Sequence, residues 1–386
     1  MRRKRRIGLL AFAAALAVLS SGLSIAQTRP ASTRTRVQPR VEKAASTGAG
    51  AAASTAPAQS ASPAVQNHDA SNSAQAQRSI TERLMENGKV VNMVDDLMGF
   101  WAQARTQPLS RQRWLWRRTI ERKYFDYFER AVYRGADEKT RREILNEFLV
   151  RAPERLDAIA RLDQMLKDPS VSPLVAELID FRVWFKDFRP KTDIYIGPSL
   201  FRFDGAIRPL GNENGVPDTL CLGIEVLAQY EPDQLRITLA HELFHLYHFG
   251  FLFDHASAED FQSAHIPLMI EGMAVAATEL LYPALDRRIH LNFDEEELAV
   301  QEKQLGTNAA KFLELMMSGA HPEQYEGWFS SSDPAVPARG GYFLGSEIVR
   351  RLLTTYTLEQ LVRMKPHELK VRAEQQMTQI AQVHVF

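Results

Sequence analysis

Pro232-Asp233-Gln234-Leu235-Arg236-Ile237-Thr238-Leu239-Ala240-His241-Glu242-Leu243-Phe244-His245-Leu246-Tyr247-His248-Phe249 has the marks of one continuous helix. Pro232 suits a first helical turn, Asp233 lies near the positive end of the helix dipole, and Gly250 is available to end the helix. His241 and His245 stand four residues apart. At about 100° per residue their side chains diverge by only roughly 40° and project from one face, so two imidazoles can grip one metal ion. Glu242 points to the side, badly placed as a third ligand but able to reach a water on that ion. This His-Glu-x-x-His pattern reads as a zinc site with its general base, against the plainer alternative of two core or surface histidines on an apolar helix.

A catalytic zinc usually takes three protein ligands and keeps a fourth position for water, and His-His-Glu is one of the recurrent sets. Glu271 supplies the missing member. It lies 26 residues after His245 in Ile270-Glu271-Gly272-Met273-Ala274-Val275-Ala276-Ala277, on a helix predicted over about Pro267 to Leu281. An acid in so apolar a stretch is costly to bury without a partner, and the small Gly272, Ala274 and Ala276 let this helix pack closely on the first. The expectation is one Zn2+ per chain. His248, seven residues after His241, shares the ligand face. It reads as pocket lining or support behind the ligands, with a core histidine or a further ligand as alternatives. His255 and His265, in the intervening loop, are alternative ligands. Glu279 could orient a metal-bound histidine through its free ring nitrogen, or serve only in packing or on the surface.

His-Glu-x-x-His followed by a Glu-Gly-x-Ala helix resembles the gluzincin zinc peptidases, particularly poorly characterised bacterial zinc-dependent proteases. The resemblance covers roughly Thr192 to Leu353 in element order. It implies a short sheet whose edge strand holds peptide substrate, a two-helix metal site, and a later tyrosine; the edge near Leu220 to Val226 is the one expected to take the peptide, through backbone hydrogen bonds. Tyr342, in Gly340-Gly341-Tyr342-Phe343-Leu344-Gly345, resembles the Gly-Tyr-x-x-Gly helix start of such proteases. Its phenol could donate a hydrogen bond to a developing oxyanion, or be a core aromatic. The longer metzincin pattern is excluded, because it wants glycine where His248 stands and histidine where Phe251 stands.

Upstream of the motif helix the period changes to two. Ile194 and Ile196 alternate with polar residues, as do Phe201 and Phe203, and Asp204-Gly205 ends the second run. Another strand is expected through Leu220, Leu222 and Ile224, so a small antiparallel sheet precedes the motif helix. A further helix is expected from about Gly341 to Thr354. Before the sheet, Ser79-Ile80-Thr81-Glu82 looks like a helix start, and Leu84, Val91, Val94, Leu97, Met98 and Trp101 follow at helical spacing. Two or three more helices are expected between Arg111 and Phe188. The fold class is therefore α+β, mainly helical and zincin-like, with a helical region over 79–190 and a gluzincin-like metallopeptidase domain over 191–386.

The front of the 386-residue chain is different in kind. Met1-Arg2-Arg3-Lys4-Arg5-Arg6, an apolar run from Ile7 to about Val18 and the small residues Ser24-Ile25-Ala26 compose a secretory signal peptide over 1–26. That run is short of the roughly 20 residues of a membrane span, so no stable membrane insertion is expected once the signal is removed, although an uncleaved anchor is the alternative. Residues 27–78 are rich in Ala, Ser, Thr, Gln and Pro and lack aromatics, the composition of a disordered leader. Loss of residues 1–26 removes five basic side chains and no acid, leaving a formal charge of −5 and no global field for nucleic acid. Trp114 to Tyr133 mixes aromatics with arginines, but interleaved acids fit a solvated amphipathic helix better than a nucleic-acid surface. The one cysteine, Cys221, cannot form an internal disulfide and reads as a small buried hydrophobe.

Together these features predict an exported peptidase, periplasmic or secreted, acting on peptide or protein through a metal-activated water with Glu242 as general base. Two alternatives stand beside it. One is a zinc amidase acting on a non-protein amide such as cell-wall peptide. The other is a binding or scaffold protein that keeps a zinc fold without turnover.

Overall fold

The computed structural model describes residues 79–86, 88–211, 215–330 and 339–383. The signal peptide read over 1–26 and the leader read over 27–78 lie outside the described residues. Among the described residues the chain is mainly helical around one four-stranded sheet, the α+β class expected. No described helix is long and apolar enough to cross a membrane.

The sheet is mixed rather than antiparallel. Its strands are β1 (Val90–Asn92), β2 (Ile194–Gly197), β3 (Gly205–Arg208) and β4 (Thr219–Gly223), in the order β1-β2-β4-β3. β1 and β4 run parallel to β2, with Val91 opposite Tyr195 and Tyr195 opposite Cys221, and only β3 runs antiparallel, with Ala206 opposite Cys221. β1 falls within the single helix expected from Ser79 to Trp101. A capping box between Ser79 and Glu82 starts a short helix, Ile80–Leu84, and Val90–Asn92 then pairs with β2. Three residues are too few for a two-residue period to show.

The second expected strand is displaced. Leu200 and Phe201 both have positive φ, and the buried Glu225 carboxylate gathers the Ser199 and Phe201 N–H groups and the Ser199 hydroxyl at 2.8 to 3.1 Å. A side chain thus supplies the backbone partners that a ladder would have given, and pairing begins only at Gly205. At Gly223, which ends β4, a Cβ would lie 2.1 Å from the Phe203 carbonyl oxygen, so only glycine admits this loop beside the strand.

Between β1 and β2 run α1 (Val94–Ala104), α2 (Leu109–Trp116), α3 (Glu138–Arg151), α4 (Leu156–Lys167) and α5 (Pro173–Trp184). Asp137 caps α3, and Ser172 with Pro173 starts α5. An aromatic cluster of Phe100, Trp101, Trp116, Phe128 and Phe148 holds this helical layer together. Phe148 touches Phe201, and Tyr127 stacks on Tyr195 of β2, so the layer and the sheet share one core. In the stretch from Trp114 to Tyr133, Arg117 pairs with Glu138 and Lys123 with Asp96.

After the sheet come α6 (Pro232–His255), α7 (His265–Leu281), α8 (Glu295–Met317), α9 (Gly340–Leu352) and α10 (Pro366–Val383). α6 runs five residues past Gly250, its expected end. Interior glycine costs a helix only about 1 kcal/mol, and the burial of Phe249 and Leu252 on either side offsets it. α7 and α9 meet backbone to backbone. A Cβ on Gly272 would fall 2.3 Å from the Gly345 carbonyl carbon, and one on Gly345 would fall 2.3 Å from the Leu268 carbonyl oxygen.

Candidate metal centre

α6 carries His241 and His245 on its inner face, and α7 presents Glu271 to both. All three are buried, and their ligand atoms lie within 4.8 Å of one another. Glu271 Oε2 is 3.1 Å from His241 Nε2 and 3.3 Å from His245 Nε2. With bonds of about 2.0 to 2.2 Å, adjacent ligand atoms of tetrahedral zinc are about 3.4 Å apart. The two edges on Glu271 are close to that, and the donor set is the N, N, O set of catalytic zinc, so the residues present fit the ion.

The electrostatics point the same way. Burial alone would raise the Glu271 carboxyl, but the imidazoles of His245 and His241 outweigh it and hold the group down at about 2. Burial lowers His241 to about 4. For His245 burial pulls downward too, yet the Glu271 charge prevails and raises it. The Glu271 charge thus favours positive charge between itself and the two imidazoles, which is what a divalent ion would supply.

Glu242, one residue along α6, turns toward β3 instead of joining the ligands. An ideal Cβ on Gly205 would lie 2.4 Å from Glu242 Cγ, so the bare backbone of β3 is the floor on which this side chain rests. Burial pushes Glu242 up to about 8, against the pull of His245, and a bound cation would act in the same sense as His245. Tyr342, in the first turn of α9, is almost fully buried, with its ring centroid 6.3 Å from that of His241. The Gly272–Gly345 crossing brings this part of α9 beside Glu271.

The remaining sequence candidates are placed elsewhere. His248 is buried on α6 with neither ring nitrogen hydrogen-bonded, and it is outside the cluster. His255 is exposed at the end of α6. His265 is tied off, since Nε2 meets the Pro366 carbonyl at 3.0 Å and Nδ1 meets the Ser263 hydroxyl at 2.7 Å. Glu279 pairs with Arg287 and Arg350 rather than with a histidine. Cys221 is a free thiol buried in β4, and burial raises its pKa.

Two residues near the cluster carry signals that went unread in the sequence. Asp204, read as a turn residue, is wholly buried, accepts the Tyr230 hydroxyl at 2.8 Å and the Gly205 N–H at 2.7 Å, and is pushed up to about 7 by burial. It is an acid among Phe201, Phe203, Ala206 and Ile207, the same kind of signal that singled out Glu271. Arg339, just before the double glycine, is 7% exposed and lies over the Tyr342 ring at 4.5 Å. Two grooves are remote from all of this. One of about 720 Å³ lies between the ends of α8 and α10, and one of about 300 Å³ lies among α4, α5 and α6. Donor chemistry, not groove size, locates the site.

A sheet-supported pair of helices thus offers a buried His-His-Glu cluster, a donor set that can hold zinc, with a glutamate beside it. Residues 203–370 match the model of a family described as predicted Zn-dependent protease (DUF2268). The match begins two residues before β3, spans α6 to α9 and enters α10, and supports a zinc-dependent protease in general. No curated protein and no solved structure matches the chain.

Proposed function

We propose that the protein is an exported zinc-dependent peptidase in which His241, His245 and Glu271 hold one ion. The observation that carries this reading is Glu271 Oε2 lying 3.1 and 3.3 Å from the two Nε2 atoms on the neighbouring helix. Zinc held there would polarise the scissile carbonyl and acidify a water beside it. Glu242 accepts the proton of the attacking water, holds it while the tetrahedral centre forms, and delivers it to the departing amine. Tyr342 donates its phenolic hydrogen to the developing oxyanion. Its proton stays in place, because burial, with the Glu271 charge, raises it far above neutrality.

Peptide adds along β3, not β4. β4 is paired on both sides, and of the two outer strands, β1 and β3, only β3 carries Gly205 against Glu242, so a substrate extended there would run past Gly205 and the Glu242 side chain. The open fourth metal position is supported by the cluster itself, which among the described residues contains no fourth His, Cys, Asp or Glu. A purely structural zinc site would be closed by one.

The test compares chains begun at Ser79. Wild type should hold one zinc after mild chelation and cleave a peptide library, and Glu271→Ala should lose the zinc. Glu242→Gln should keep the zinc and lose at least about 100-fold in turnover. Zinc retained undiminished by Glu271→Ala would remove the ligand assignment. Zinc held normally by a wild type that cleaves no peptide, cell-wall peptides included, would leave a scaffold.

A further inference from the structure

Among the described residues, Arg339 is a buried cation with no carboxylate paired to it. It caps α9 from the left-handed region, at φ 55°, a conformation that is strained for a residue bearing a side chain. Its guanidinium lies 4.5 Å over Tyr342 and 5.8 Å from the centre of Phe293. One hydrogen bond is made, to the Asn292 carbonyl at 3.3 Å, and Nε has none. Aromatic faces and one carbonyl do not match five N–H donors in a planar fork.

The nearby carboxylates are engaged elsewhere. Asp204 takes the Tyr230 hydroxyl and the Gly205 N–H, Glu271 lies against His241 and His245, and Glu242 rests on Gly205. None forms an ion pair with Arg339 among the described residues. A buried charge of this kind is stable only when an anion completes it. Arginine is the side chain whose fork reads a carboxylate through two parallel bonds. Tyr342 places this one next to His241, and the positive end of the helix dipole of α9 begins at the same residue.

We propose that Arg339 binds a carboxylate of the substrate, which makes the enzyme selective for peptides bearing a negative charge beside the bond to be cut. This rests on the peptidase reading above and adds the substrate class to it. Two sources share the chemistry, the carboxy terminus of a chain and an aspartate or glutamate side chain.

Binding, rather than turnover, tests this. Zinc-loaded Glu242→Gln protein is titrated with three decapeptide pools: neutral side chains with a free carboxy terminus, neutral side chains with a terminal amide, and Asp- and Glu-containing sequences with a terminal amide. One carboxylate-bearing pool should bind at least tenfold tighter than the neutral amide pool. Preference for the first assigns the chain terminus, and preference for the third assigns the side chain. Added Arg339→Met should erase the difference while leaving the neutral pool unchanged, and Arg339→Lys, which keeps charge but not the fork, should recover only part of it. Equal, measurable binding of all three pools overturns the carboxylate assignment and leaves the peptidase reading standing. Failure of every pool to bind overturns both.

Discussion

Gly205 and Glu242 show how much of the site hangs on single atoms. A methyl at Gly205 would occupy the space of Glu242 Cγ and Cδ, at 2.4 and 2.9 Å, so Gly205→Ala should displace Glu242, the proposed general base, without touching His241, His245 or Glu271. A shift of about 1 Å at a reacting group costs roughly 100-fold. Turnover should fall by about that factor with zinc content unchanged, and a variant as active as wild type would free Glu242 from this floor. Tyr342→Phe should lower turnover by about 100-fold or more with little change in KM, as loss of an oxyanion donor does; an equal rise in KM instead would make the ring a packing element. His265 concerns stability. Burial lowers its pKa to about 4 from an ordinary 6.5, so the unfolded chain binds the extra proton first as pH falls. The neutral ring's contribution is complete above pH 6.5 and is lost as pH drops toward 4, by up to about 3 kcal/mol. Thermal melts of His265→Gln should be flatter than wild type across that window. Residues of this kind were partly legible in sequence: His241, Glu242, His245 and Glu271 stood out by spacing and by an acid in apolar surroundings. Asp204 and Arg339 did not, because a turn-like Asp-Gly and an Arg beside Gly-Gly look like surface punctuation until a core closes over them.

At the scale of elements, the centre depends on the crossing of α7 and α9. Gly272 and Gly345 place main chain against main chain, with no room for even a methyl. Gly272→Ala and Gly345→Ala should each separate the helices, destabilise the fold by about 1 to 3 kcal/mol, and weaken zinc binding by moving Glu271. Denaturant melts and chelator competition measure both, and full zinc affinity in either variant would mean that α7 holds Glu271 without α9. The Glu-Gly pair and the Gly-Tyr-x-x-Gly start were visible separately. That they are two halves of one contact was not, since nothing in either stretch names its partner. The sheet shows the same limit: β4 was read within a residue, β1 was too short to carry a period, and the run at Phe201 was bent aside by Glu225, distant in sequence. The continuation of α6 beyond Gly250 also came from packing, which overrode a local stop signal.

For the whole molecule, β1 joins β2 across more than a hundred residues, and α1 to α5 fill the connection. A chain begun at about Pro190 would lose an edge strand and bare the apolar undersides of β2 and the Phe201 loop, now covered by Tyr127 and Phe148. Such a chain should show no cooperative melt and bind zinc poorly, whereas one begun at Ser79 should do both normally. A truncated chain that melts cooperatively and gains activity would instead identify residues 79–190 as an inhibitory segment.

The sequence by itself determined the helix that carries His241 and His245, the acid Glu271 that meets them and the mainly helical α+β class, because these follow from spacing along one helix and from the cost of burying an acid alone. Only the tertiary structure decided strand order, which strands lie at the edges, the floor beneath Glu242 and the buried cation at Arg339. Those features depend on which distant segments meet, and the energies that select among such meetings are those of close packing and shared burial, written in no local pattern.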